Sequence, residues 1–183
     1  MKHFFLFTTL LFLSFNTKAQ TAIKGNMATA LVAIPNFAIE FQHKEKTSFQ
    51  IETTASFWES IKGSPVQFML LFGEYRYYTK TYGDGFFAGV NVGGSSFNVR
   101  KWNYVDTDLI QRGFGLMAGL TVGYQYVIND KFNIEVSLGG GYHEGFYKGY
   151  NTETGERYDP ATNWNKSSES LPYKGGIMLV YKL

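Results

Sequence analysis

Cysteine is absent from this chain of 183 residues, and histidine occurs only three times. The first absence excludes disulfides and any lipid attached through an N-terminal thiol. The two together leave little material for a transition-metal site. No apolar run beyond residue 15 approaches the roughly 20 residues that a membrane-spanning helix needs, and no segment keeps a helical period. An excess of charge is lacking as well. The chain has 17 Lys and Arg against 15 Asp and Glu, which offers no basic field for nucleic acid. What the sequence has instead is 20 glycines, 17 phenylalanines and 13 tyrosines.

The first residues read Met1-Lys2-His3, followed by an apolar run from Phe4 to Phe15 and then Thr17-Lys18-Ala19-Gln20. A basic start, a short apolar core and small residues at a break are the parts of a secretory signal peptide. Cleavage is expected after Ala19. The expected division is therefore a signal peptide over 1–19 and a single domain over 20–183. Loss of Lys2 and Lys18 makes the basic residues equal in number to the 15 acidic ones.

Two runs, Arg112–Tyr126 and Phe132–Glu144, hold a strict two-residue rhythm across a short turn. Even positions include Phe114, Leu116, Leu120, Val122, Ile134, Val136 and Leu138. Odd positions include Gly113, Gly115, Thr121, Gln125, Asn133, Glu135 and Ser137. Side chains alternate faces along a strand, so one face is apolar and the other small or polar. Each run exceeds the usual globular strand and fits the roughly 9–11 tilted residues that cross a bilayer. Six further strands are expected at Ala22–Ala33, Asn36–His43, Thr47–Phe57, Val66–Thr79, Gly85–Val99 and Leu171–Leu183. The two runs extend to Arg112–Val127 and Lys131–Glu144. Short gaps (44–46, 80–84, 128–130) alternate with longer ones (58–65, 100–111, 145–170). Only Ile34-Pro35 breaks the pattern of brief periplasmic turns and long external loops. The expected fold is all-β: an eight-stranded antiparallel up-and-down transmembrane β-barrel. A soluble lipocalin-like ligand binder is the architectural alternative.

An eight-stranded barrel has an interior just wide enough for side chains to fill it. Lys24, Glu40, Glu52, Glu74, Arg76, Glu135 and Lys174 fall on the inner register, where unpaired charge is very costly. They are expected to form an internal polar network that plugs the barrel. A narrow channel through linked carboxylates is the alternative. On the last strand Leu171, Tyr173, Ile177, Leu179, Tyr181 and Leu183 form the expected lipid-facing register. Tyr75, Tyr77, Tyr78 and Tyr82 at one end, and Tyr142, Phe146, Tyr147 and Tyr150 at the other, suit the two headgroup interfaces. Among the aromatic residues of the long loops, Trp102, Tyr104, Tyr147, Tyr150, Tyr158 and Trp164 are candidate surface contacts.

Motifs with apparent chemistry lose it in context. Gly113-x-Gly115-x-x-Ala118 lies within a strand, whereas a dinucleotide fingerprint opens a helix. Asp106-x-Asp108 lacks the spaced ligands of a calcium loop. His143 and Glu144 fall on opposite faces, no Gly-x-Ser-x-Gly elbow occurs, and Ser167, Ser168 and Ser170 remain as loop serines. The expectation is a protein without catalytic residues, metal or cofactor; a lipid-modifying barrel enzyme centred on His143 is the minor alternative.

Several strand motifs carry a family resemblance. Asn26-x4-Leu31-x3-Pro35-Asn36-x2-Ile39-Glu40 resembles the start of an uncharacterised outer-membrane β-barrel family typical of Bacteroidota, made of small OmpA/OmpX-like barrels. Glu74-Tyr75-Arg76-Tyr77-Tyr78, Gly85-x-Phe87-x-Gly89 and Gly93-Gly94-x-x-Phe97-Asn98 are similar to its middle strands. Gly113–Tyr126, Ile134-Glu135 and Gly139-x-Gly141-Tyr142 are similar to its subsequent hairpin. The resemblance implies a small barrel with no family catalytic residues to transfer. The expected role is structural or adhesive, in a monomer integral to the outer membrane. Outer-membrane lipid and lipopolysaccharide surround it, and the barrel-assembly machinery reads its C-terminal alternation.

Overall fold

The computed structural model describes residues 20–61, 63–101, 104, 106–158 and 163–183. The expected signal peptide and the candidate contact Trp102 lie outside the described residues. The strands are β1 (Thr21–Asn26), β2 (Asn36–Lys44), β3 (Thr47–Ile61), β4 (Ser64–Tyr78), β5 (Gly85–Val99), β6 (Leu109–Val127), β7 (Phe132–Asn151) and β8 (Asn165–Lys182). One turn of helix, α1 (Met27–Ala30), follows β1. The strands form one antiparallel sheet in sequence order, and β8 pairs back onto β1 to close the barrel. The expected all-β, eight-stranded, up-and-down architecture is the one the chain adopts. Among the described residues no helix is long and apolar enough to cross a membrane.

Alternation decides which side chains face inward. Asn36, Ala38 and Glu40 on β2, Ser48, Gln50 and Glu52 on β3, and Phe72, Glu74, Arg76 and Tyr78 on β4 are all buried. Their neighbours Phe37, Ile39, Ile51 and Leu71 are exposed on the outside. Glycines on β5 to β7 open space for these inward groups. A Cβ on Gly89 would stand 2.6 Å from Glu74 Oε1, and one on Gly123 would stand 2.6 Å from both Phe87 Cζ and the Val136 carbonyl. The glycine face is thus a set of sockets, each closed by a nearby side chain or by the backbone of a neighbouring strand.

Four local expectations need correction. The first strand stops at Asn26 rather than Ala33, because the Asn26 side chain accepts hydrogen bonds from the Ala28 and Thr29 amides at 3.1 and 3.3 Å. That is an N-cap, and it turns the chain into α1. The connection expected at Ile34-Pro35 is consequently residues 27–35. Other strands overrun their expected ends: β3 reaches Ile61, β6 starts at Leu109, β7 reaches Asn151 and β8 starts at Asn165. Much of the expected loops at 58–65, 100–111 and 145–170 is therefore strand, and β3 and β4 are joined by 62–63 alone.

The other two corrections concern facing. Tyr173 points inward. A register shift between Gly139 and Gly140, opposite Lys174 and Pro172, inserts one residue into β8 and reverses its alternation there. Tyr78 and Tyr82 belong to no interfacial belt either. With Phe87 they form a buried cluster at the short-turn end of the lumen. Tyr78 shares the register of Glu74 and Arg76, and Tyr82 folds under the barrel, its amide donating to the Glu45 carbonyl at 2.7 Å.

The socket geometry makes a direct prediction. Gly123→Ala is expected to destabilise the barrel by about 1–3 kcal/mol through overpacking. Gly73→Ala, with no atom within 4 Å of the added carbon, is expected to be close to neutral. Thermal unfolding followed by circular dichroism would separate the two, and equal effects would refute the socket account.

Candidate functional site

The lumen has two storeys. In the storey toward the short turns, the seven inward charges join in one unbranched chain of alternating sign. Glu40 contacts Lys24 at 2.6 Å, and Lys24 contacts Glu135. Glu135 receives Arg76 Nη1 at 2.9 Å, while Arg76 Nε donates to Glu74 at 2.6 Å. Lys174 links Glu74 to Glu52, the latter at 2.8 Å. All seven are buried, Lys174 being the most exposed at 8%. The structure thus brings together Lys24, Glu40, Glu52, Glu74, Arg76, Glu135 and Lys174.

Four carboxylates meet three cations in this chain, so neutral donors carry the surplus negative charge. Ser48 and Tyr78 hydroxyls donate to Glu40, the latter at 2.7 Å. Asn36 and Gln50 amides donate to Glu52 at 2.8 and 2.9 Å. Thr121 donates to Glu74 at 3.2 Å. The cations also lie against rings, Arg76 at 4.4 Å from the centre of Phe87 and Lys174 at 5.2 Å from that of Phe72. Each carboxylate faces a cation rather than a common centre, and among the described residues no three His, Asp or Glu groups converge as metal ligands.

The floor between the storeys is aromatic. Tyr173 stacks on Phe72 with ring centres 4.9 Å apart and planes 11° from parallel. Its hydroxyl donates to Asn91 Oδ1 at 2.8 Å, and Asn91 in turn donates to Thr121. Above this floor lies a cavity of about 640 Å³ with apolar walls, among them Phe68, Leu70, Phe97, Met117 and Leu171. Its polar side holds Ser95, Lys101, His143, Ser167 and Glu169.

Sequence reasoning placed His143 on the inner face but missed its partner. His143 Nε2 lies 2.9 Å from Ser95 Oγ, two strands away. Gly115 stands between them on β6, paired with Ser95 on one side and Gly145 on the other. A side chain at Gly115 would overlap the imidazole, so this glycine lets the ring reach across a whole strand. The other ring nitrogen, Nδ1, is buried and has no hydrogen-bond partner among the described residues. Glu169 is opposite His143 in register but is ion-paired with Lys101. Glu144, on the outer face, accepts from Tyr142 at 2.6 Å and Ser168 at 2.7 Å.

A Ser–His contact of this length is compatible with nucleophile activation. Such chemistry also calls for a group that orients the base and for donors at the developing oxyanion. Among the described residues Nδ1 has no orienting partner, and the strands at Ser95 are paired on both sides in the sheet ladder.

The described aromatic candidates have separate neighbours. Tyr147 faces Lys101, whose Nζ is 5.6 Å from its ring centre. Tyr104 and Tyr158 meet at 6.5 Å, Tyr150 lies 5.3 Å from the Arg112 guanidinium, and Trp164 packs on the outer wall against Phe114 at 5.2 Å.

Fold and lumen together define a small closed β-barrel with a salt-bridged base and an apolar upper chamber. The chain belongs to the family described as "Protein of unknown function (DUF3575)", which matches residues 4–183. No curated protein matches the chain.

The charge chain predicts strongly unequal substitutions. Arg76→Ala leaves Glu74 and Glu135 each short of a buried partner and is expected to cost about 3–5 kcal/mol. Lys80→Ala removes an exposed pair with Asp84 at 3.2 Å and is expected to cost under about 1 kcal/mol. Denaturant midpoints for the two variants check this, and similar losses would contradict it.

Proposed function

We propose that the chain is an integral outer-membrane barrel, sealed at its short-turn end and presenting its long connections at the cell surface, with no enzymatic role. One observation carries this reading: the outside of the wall is apolar while every member of the charge chain is inside. Phe37, Ile51, Leu71, Val92, Leu116, Leu120, Val136 and Leu138 stand between 52% and 66% exposed around the barrel. Soluble monomers rarely leave contiguous apolar surface of more than a few hundred Å². A lipid-spanning barrel requires such a band. The signal-like start of the sequence agrees with export, and the resemblance to small outer-membrane barrels of Bacteroidota agrees with the address. The role is that of a stable wall whose outer connections meet lipopolysaccharide and other surfaces.

The linked charges also favour a plug over a channel. Seven mutually paired groups and the Tyr78–Tyr82–Phe87 cluster fill the lumen where a water path would run. Fractionation is expected to recover the protein in the outer membrane, with the unheated form migrating differently from the heated one on a gel. A soluble fraction without that shift would overturn the membrane reading. Planar bilayers are expected to show no steady conductance, and a stable open level would replace the plug with a channel.

A further inference from the structure

The wall is incomplete on one side. β1 pairs with β8 only as far as Asn26 and Met178, yet β8 continues back to Asn165. β2 pairs with β3 only from Asn36 and Thr54, yet β3 continues to Ile61. Between these two edges no strand runs. Residues 27–35 cross the gap as a strap instead. Three hydrogen bonds tie it to the wall, Asn26 Nδ2 to the Gly175 carbonyl, the Ala55 amide to Pro35 and Trp58 Nε1 to Val32, each 3.0 Å, beside the two bonds of the α1 cap at 3.1 and 3.3 Å. Ala33 adopts a left-handed φ of 53°, a conformation that is strained for a residue other than glycine. Thr29 and Ile34 of the strap line the upper chamber, whereas Leu31 is 89% exposed on its outer side. The strap is therefore the only thing, among the described residues, that separates the chamber from the apolar surround of the wall at this position.

The chamber has the size of a ligand site, since pockets for small molecules run about 300–1,000 Å³ with apolar linings and a few convergent polar groups. Here Lys101 and Glu169 neutralise one another, and the buried His143 Nδ1 is left without a partner. An unpaired polar atom in an apolar chamber is satisfied by a hydroxyl or carboxyl group from a ligand. Neutral imidazole meets either, because the direction of the Ser95 bond decides whether Nδ1 donates or accepts.

We propose that the upper chamber binds one acyl chain, free or carried by a membrane lipid, with its oxygen-bearing end at His143 and Ser95, and that the chain enters sideways past the 27–35 strap. The proposal deepens the outer-membrane reading, because the strap faces lipid only if the barrel spans a bilayer. It names an occupant for the chamber rather than a reaction in it.

The test titrates cis-parinaric acid, a fluorescent polyene fatty acid, into the folded barrel. A single saturable site is expected. Leu70→Trp and, independently, Thr54→Phe fill the chamber and should each weaken binding tenfold or more, whereas Leu71→Trp on the outer face should not. His143→Ala removes one hydrogen bond and should weaken binding about three- to tenfold. Trp58→Phe releases the strap from Val32 and should speed association and dissociation together by about the same factor, with little change in affinity. Displacement by palmitate alone assigns the site to free acids, and displacement also by a lysophospholipid assigns it to lipid-borne chains. Binding that survives both filling variants, or that neither competitor displaces, overturns the proposal. A heat-modifiable outer-membrane barrel that binds no probe sinks this inference alone. A soluble barrel whose chamber still binds keeps the site but removes both the sideways entry and the membrane reading.

Discussion

The ion-pair chain through the lower lumen is the constraint on which the rest of the barrel depends. Its members come from β1, β2, β3, β4, β7 and β8, so six of the eight strands are tied through side chains as well as through the ladder. The strands that contribute no charge, β5 and β6, contribute glycine and neutral hydrogen-bonding groups instead. This division is physical rather than accidental. The Glu74 side chain needs the volume that Gly89 leaves free, and the Phe87 ring under Arg76 needs that of Gly123. Removing a pair of facing charges and removing a glycine are therefore linked changes, each meaningful only beside the other.

Desolvation sets the terms of that chain. Burying an ion pair is often no better than burying well-packed apolar groups, but breaking one pair is expensive. A network in which every cation serves two carboxylates cannot lose a cation without taking a partner from both. The neutral donors at Glu40, Glu52 and Glu74 make the surplus acid tolerable without a fourth cation. The network thus specifies one arrangement of strands, since a shift of one residue in any of them would turn its charge outward. It acts on register more than on total stability.

Much of this was legible in the sequence, and the reasons for the rest are local. Alternation with period two placed all seven charges inside and gave the strand count, because a half-apolar wall writes its facing into every residue. It did not place the end of β1, since a strand and a capped helical turn both fit Asn26 followed by Met27-Ala28-Thr29-Ala30. Strand ends were read too short on β7 and β8 because Tyr147, Lys148, Asn165 and Lys166 look like loop residues once the strands pass beyond an apolar band. The Ser95–His143 contact was out of reach for a different reason. It depends on the exact pairing of three strands and on what Gly115 lacks, and pairing register is not written in any one segment. Tyr78, by contrast, shares the parity of Glu74 and Arg76, so its inward position was legible even though an interfacial place was expected for it.

The bulge on β8 shows how one inserted residue divides the lumen. With unbroken alternation from the C-terminus both Tyr173 and Leu171 would point outward, as expected from the sequence, whereas both border the lumen. The shift between Gly139 and Gly140 turns Tyr173 inward, onto Phe72 and Asn91. Gly119 makes that turn possible, because a side chain there would overlap the tyrosine hydroxyl. The stacked pair closes the charged storey from above, and its other face becomes the floor of the apolar chamber. Lys174, next in sequence, keeps its ammonium in the charge chain while its residue still borders the chamber. A bulge, a glycine and a tyrosine thus convert what would have been a continuous polar lumen into two compartments of opposite character, and the upper one sets an unpartnered polar atom, His143 Nδ1, beside apolar walls.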